Sequence, residues 1–486
     1  MGVLIGITAD DMFYYLEIAR NIGEGNGPTF DGSTPTNGWH PLWMGILVLL
    51  QTIVGDAAAL VHVALSVLVL AHLATGVALW RVAGAVGGSI AGLAAMACWI
   101  FLPAAGQITL SGVEAPLATA ALAWCLVLQT DGKTEKGAFR LGLCMGLACL
   151  ARTDSALICT VIFCAVYLPF LREQSFVKSA WKLPARCVGG GAILLLPWLF
   201  WNLMAFGRIS QDSARALYFK THTPGSGSGL WDRWMAWMDA LGKMVGLSGG
   251  LLFGGLLVAL AISVWAIRRR HRAALVLFCA VVGVLSVAAV YTSYLWFRQD
   301  WYLLSSLMLL SLIVGLAIGL LFERLEPRME RIPKLGQHGL VLLLIAGVSL
   351  PESARLTRLG AWPYPWQRMY LEIAEELDEK LPEGSRVGAF NAGIYGYFTE
   401  LDVVNLDGVV NGDVLEAMED QALLAYVHRA GITHIVDHYQ AYVTFGSNYA
   451  EPEFLQSALI QGPNYPNTSS GGDIYLNTVK TQILRP

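Results

Sequence analysis

The sequence predicts an α-helical polytopic membrane protein of about 10–11 spans with a C-terminal extracytoplasmic α/β domain. Three observations predict it. Of 486 residues, 55% are hydrophobic and only 14% are charged, whereas soluble domains carry about 25% charged residues. Apolar runs approaching the ~20 residues of a crossing helix recur through the first 351 residues. From residue 352 the pattern changes to alternating helix and strand signals. The net charge of −4 leaves no basic field, so nucleic acid is excluded as a partner. The eight cysteines fall within or beside apolar runs and none has CxxC spacing, so they read as small buried hydrophobes.

The opening "MGVLIGI" is too short to cross a bilayer and has no basic n-region. It is expected to be the outer end of a span that begins upstream. Spans are expected at 59–80, 86–105, 113–130, 138–150, 155–171, 187–206, 248–267, 273–293, 301–322 and 338–351. Residues 41–54, also apolar but short, are expected to lie along the outer surface. Basic residues crowd the loops at Lys133/Lys136, Arg172/Lys178/Lys182/Arg186, "RRRHR" (268–272) and "ERLEPRMERIPK" (323–334). The positive-inside rule makes these cytoplasmic. Residues 1–351 then form a transmembrane unit with two main outer loops, 8–58 and 207–247, and residues 352–486 form the outer domain.

In that domain "WQRMYLEIAEELDEKLPEG" has helical period, "RVGAFN" and "DVVNLDG" read as strands, and "DQALLAYVHRAGITHIVDHY" reads as helix, glycine turn, strand. No P-loop or GxGxxG appears. An outer module beside a transfer cavity would suit acceptor or product binding. "TPGSGSGLW" (223–231) reads as a flexible linker and candidate lid.

Ionisable residues collect on the outer side: Asp10, Asp11, Glu17, Arg20 and His40; Glu114 in "SGVEAPL"; Arg152 and Asp154 in "LARTDSA"; Asp212, Arg215 and Lys220 in "GRISQDSARALYFK"; Arg298 and Asp300 in "FRQDWYLL". Charges at membrane depth are costly and pair or line a cavity. Residues 10–23 fit a surface helix, which Asp10 and Asp11 could simply cap. Alternatively, a carboxylate against an apolar surface, with a second beside it, has a raised pKa and suits a general base. The arginines could hold a phosphate leaving group. For the rest the local readings are an Arg152–Asp154 pair, an Arg298–Asp300 pair, a helix-start charge at Glu114 and a local hydrogen bond at His40. Trp39 and Trp43 read as interface anchors.

The stretch "DDMFYYLEIARNIGEG…F…PTNGWHPLW" resembles the first outer loop of the C-type (GT-C) membrane glycosyltransferases. That superfamily includes aminoarabinose, protein O-mannosyl and cell-wall arabinofuranosyl transferases. "SGVEAPLATAAL", "GLACLARTDSAL" and "FRQDWYLL" extend the likeness over most of residues 8–322. The near-absent first span departs from the pattern, and no tail residue matches a family site. The resemblance implies inverting transfer of a sugar from a polyprenyl-phosphate-linked donor to a hydroxyl on a glycan, lipid or protein acceptor, in a bacterial inner (cytoplasmic) membrane. Asp10 or Asp11 is the implied base, and matching the helix register to the aminoarabinose-transferase pattern slightly favours Asp11. Arg298, Arg152, Asp154, Glu114, His40, Arg215 and Lys220 are the implied substrate-binding set. The chemistry is expected to need no cofactor or to use a divalent cation. A transporter, or a non-catalytic binding protein for lipid-linked glycans, is the alternative.

Overall fold

Helices occupy every stretch expected to be a span. The computed structural model describes residues 2–173, 178–222, 229–294, 299–329, 333–358, 363–451, 454, 460–465 and 473–479. Arg298 and most of the 223–231 linker lie outside the described residues. A four-residue α1 (Gly2–Ile5) precedes α2 (Asp10–Glu24), and α3 (Pro41–Gln51) follows the glycine- and proline-rich loop, with Pro41 in its first turn. The apolar body continues through α4 (Ala57–Ile100), α5 (Pro103–Thr109), α6 (Ala115–Leu128), α7 (Glu135–Ala151), α8 (Ser155–Glu173) and α9 (Lys182–Phe206). The 207–247 segment folds into α10 (Asp212–His222) and α11 (Leu230–Met244). The body closes with α12 (Gly249–Arg268), α13 (Ala274–Ser293), α14 (Leu304–Met329) and α15 (Lys334–Arg358).

Two expected spans, 59–80 and 86–105, share α4, which folds back on itself at Gly88 (φ 84°). Only glycine adopts that angle readily. The arms lie side by side: Trp99 Nε1 donates to the His72 carbonyl at 2.9 Å, and a Cβ on Gly92 would sit 2.6 Å from the Trp80 carbonyl. The second arm packs on α14 through small residues, with Gly315 against Ala95 and Gly319 against Ala91. Small residues are how helices approach closely where lipid supplies no hydrophobic drive.

Among the described residues, five helical segments are long and apolar enough to cross a membrane: Ala57–Ile100, Lys182–Phe206, Gly249–Arg268, Ala274–Ser293 and Asp300–Leu325. Shorter apolar helices occupy further expected spans, at Ala115–Leu128, Ser155–Pro169 and Lys334–Gly347. The run at 113–130, for example, yields only the 14-residue α6, about 21 Å long against a hydrocarbon core of ~30 Å.

The C-terminal unit is an α/β domain, as its alternation predicts. It comprises α16 (Gln367–Lys380), β1 (Arg386–Ala389), α17 (Gly393–Phe398), β2 (Asp402–Asn405), α18 (Gly412–Glu419), α19 (Leu423–Arg429), β3 (His434–His438), α20 (Tyr439–Tyr449), β4 (Ile460–Tyr465) and β5 (Ile474–Thr478). The sheet order is β2-β1-β3-β5-β4. Strands β2, β1 and β3 are parallel, with Val387 opposite both Val403 and His434, and β5 is antiparallel to β3. The parallel strands bury Val387, Val403, Val404, Ile435 and Val436, as sheets covered on both faces do.

Helix α2 joins the two units. The sequence places it at a membrane surface, but Met12 through Ala19 are all buried. They share one apolar core with Trp43 and Leu60 on one side and Ile394, Tyr395 and Tyr397 on the other. Phe13 and Tyr14 face the C-terminal domain, against Tyr397, Phe398 and the Phe390 carbonyl. Trp39 and Trp43 are corrected likewise. Both are buried, and their indole N–H groups donate to the carbonyls of Thr36 and Gly112.

Candidate active site

The two aspartates that open α2 are held differently. Neither caps it: the cap position is Ala9, and no side chain bonds there. Asp10 instead reaches across to α17, accepting the N–H groups of Gly393 (3.0 Å) and Ile394 (3.1 Å). Ten residues on, Arg20 donates to the carbonyls of Gly396 and Tyr397 at the other end of the same short helix. An acid at the amino end and a base at the carboxyl end complement its dipole. Tyr14, one turn after Asp10, donates to the Phe390 carbonyl and accepts from the Ala392 N–H and the Asn405 amide. One face of α2 is therefore a docking face for the domain.

Asp11 is the free member of the pair. Among the described residues no group donates a hydrogen bond to it. Burial pushes its carboxyl up to about 7, and the negative charges of Asp10, Asp407 and Glu114 push the same way, against Lys220. Burial also raises Asp10, to about 6, although its two backbone donors oppose the shift.

Four further expected residues surround this point. Arg152 sits between Glu114 (2.6 Å) and Asp154 (3.0 Å), donates to the Tyr291 hydroxyl, and lies over the Tyr302 ring. Glu114 and Arg152 are both buried. Burial acts to raise Asp154, but Arg152 and Tyr291 outweigh it and hold the carboxyl below its ordinary range. His40 Nε2 stands 3.7 Å from Glu114, and its ring nitrogen Nδ1 is 3.4 Å from Gln211. Burial keeps the imidazole below its usual pKa. The guanidinium of Arg152 is thus committed to two carboxylates, which leaves it a scaffold rather than a free phosphate clamp.

Lys220, on α10, pairs with Asp407 at 3.2 Å and lies over the Phe445 ring. Asp407 comes from the C-terminal domain, just past the carboxyl end of β2. The sequence reading missed it, although "NLDG" after a predicted parallel strand is the place where such sheets present ligand groups. Arg215, five residues before Lys220, faces elsewhere, with Asp212 at 3.6 Å and Glu419 at 3.5 Å.

Three of these carboxylates already have partners. Arg152 occupies Glu114, Lys220 occupies Asp407, and two backbone N–H groups occupy Asp10. Among the described residues no three His, Cys, Asp or Glu side chains converge as metal ligands.

The whole chain superposes on ArnT from Cupriavidus metallidurans with a TM-score of 0.56 at 13% identity, over 98% of this chain and 96% of ArnT. The fold is the GT-C fold. The same ArnT bound to undecaprenyl phosphate gives a TM-score of 0.54 at 13% identity, over 98% of this chain and 95% of that one. The oligosaccharyltransferase of Archaeoglobus fulgidus gives 0.54 at 12% identity, over 99% of this chain and 71% of that one. Identity this low makes these likenesses of fold. Residues 361–471 match a family described as "Domain of unknown function (DUF8728)". No curated protein matches the chain. The apolar helices and this fold together make the chain a multi-pass membrane protein.

Proposed function

We propose that this chain is an inverting membrane glycosyltransferase that moves a sugar from a polyprenyl-phosphate-linked donor to a hydroxyl acceptor on the extracytoplasmic face. The observation that carries the reading is Asp11: a carboxylate with no hydrogen-bond donor among the described residues, raised to about 7 by burial and neighbouring carboxylates, with the Lys220 charge acting against them. A general base works best with a pKa near the operating pH. The structural neighbours support the donor class, since one of them holds undecaprenyl phosphate and another dolichol-phosphate.

In the proposed step the acceptor hydroxyl gives its proton to an Asp11 oxygen. Its oxygen bonds to the anomeric carbon as the bond from that carbon to the phosphate oxygen breaks. The electron pair leaves with polyprenyl phosphate. Lys220 stabilises the charge that develops on this phosphate, with Arg298 as its expected companion. The Glu114–Arg152–Asp154 cluster holds the floor of the site rigid. No step is routed through a metal.

The test is acceptor-dependent release of polyprenyl phosphate by the full chain in proteoliposomes. Donors would be a panel of polyprenyl-phosphate pentoses and hexoses, supplied with a membrane-fraction acceptor mixture. Release with at least one donor is expected. Silence across the panel, with donor binding intact, would overturn the reading in favour of a glycolipid-binding protein.

A further inference from the structure

A second site lies on the far side of α10 from Lys220. It is a cavity of about 560 Å³ whose lining includes Arg215 and Tyr218 of α10, Tyr294 at the end of α13, and Glu419, Gln421 and Asn448 of the C-terminal domain. Helical geometry separates it from the Asp11 site. At ~100° per residue, Lys220 projects roughly 140° away from Arg215 and 160° away from Tyr218. The volume falls in the range of small-ligand sites, about 300–1,000 Å³.

The lining says what would bind. The rings of Tyr218 and Tyr294 lie 4.7 Å apart and are 40% and 54% exposed. Exposed aromatic rings side by side offer a platform for the C–H face of a sugar ring, while one carboxylate and two amides are placed for its hydroxyls. Charge argues against a phosphate: Arg215, the cavity's guanidinium, is matched by Glu419 at 3.5 Å and Asp212 at 3.6 Å. Gln421 is held at φ +57°, a strained angle for a residue other than glycine, while its side chain donates to the Asn448 carbonyl. Strain of this kind gathers at ligand clamps.

One helix end carries a residue of each site. Tyr294 follows Tyr291 by three residues on the α13 end, about one helical turn, and Tyr291 is bonded to Arg152 and Asp154.

We propose that this cavity is a subsite for a neutral oligosaccharide, walled in part by the 361–471 domain. Calling that oligosaccharide the acceptor rests on the transferase reading above. The experiment is saturation-transfer NMR on the full chain in nanodiscs, with maltotriose, chitotriose and mannotriose as probes. The variants are Tyr218→Ala, Asn448→Ala and the conservative Tyr218→Phe. At least one trisaccharide should bind wild type, about tenfold more weakly in the alanine variants and within about twofold in Tyr218→Phe. In the transfer assay Tyr218→Ala should raise the acceptor KM by a similar factor and leave kcat and donor KM near wild type. No trisaccharide bound by wild type, or binding indifferent to both alanine variants, would overturn the subsite. Binding here with no donor turned over would remove the transferase reading and leave the glycan site standing.

Discussion

Gly393→Ala is predicted to loosen the C-terminal domain although it should improve the helix that carries it. Gly393 begins α17, and alanine is favoured there over glycine by about 1 kcal/mol on propensity alone. The packing points the other way. A Cβ at this position would lie 2.4 Å from the Asp10 carbonyl oxygen and 2.8 Å from its carboxylate. Overpacking of this kind costs about 1–3 kcal/mol. The displacement also stretches the bonds from the Gly393 and Ile394 N–H groups to Asp10, now 3.0 and 3.1 Å, and a hydrogen bond to a charged group contributes about 1.5–3 kcal/mol. A net loss of about 3 kcal/mol raises the population of the locally opened interface by roughly 150-fold. Hydrogen exchange on peptides covering residues 390–398 of the full chain reads this directly. Gly254→Ala, a helix position with open space around it, is the control. If Gly393→Ala exchanges as slowly as wild type, or more slowly, α2 is not the docking element and the argument fails.

Further outcomes follow from the same site. Because burial holds Asp11 near 7 against 3.8 when free, turnover should rise with pH through about 7 and be about tenfold below its plateau at pH 6. Stability has the opposite sign: the folded chain keeps a proton that the unfolded chain has released between 3.8 and about 7, so this group's contribution falls as pH rises across that window. A flat pH–rate profile between 5.5 and 8.5 would count against Asp11. Arg152→Met strands Glu114 and Asp154 and should cost about 3–5 kcal/mol, seen as loss of folded, monodisperse protein. Lys220→Met, by contrast, should leave the melting transition nearly unchanged and lower turnover by about 10²-fold; a large stability loss with normal turnover would make Lys220 structural.

Much of this was legible locally. Apolar period placed the helices, and strand and turn signals at "RVGAFN" and "GITHIVDHY" placed β1 and β3. Long-range pairing was not legible. Nothing near Asp10 shows that its donors lie more than 380 residues away on α17, so the sequence does not show that one aspartate is held across the domain boundary and the other is not. The same holds for Arg152, whose second carboxylate, Glu114, comes from another helix end. Aromatic residues flanking short apolar runs read as lipid anchors, yet Trp43 is buried in the core around α2 and bonded to the Gly112 carbonyl. Asp407 was passed over because a strand-end aspartate acquires meaning only once α10 brings Lys220 to it.

The central claim is a division of labour: Asp11 takes the proton and Asp10 holds the domain. Single-turnover transfer from a bound polyprenyl-phosphate sugar, comparing Asp11→Asn with Asp10→Asn, tests it most directly. Asp11→Asn should bind donor normally and lose about 10²–10⁴-fold in rate, with wild-type exchange at residues 390–398. Asp10→Asn should keep its rate within about tenfold while that segment exchanges faster. The reverse pattern, with Asp10→Asn inactive and Asp11→Asn turning over, would contradict the account.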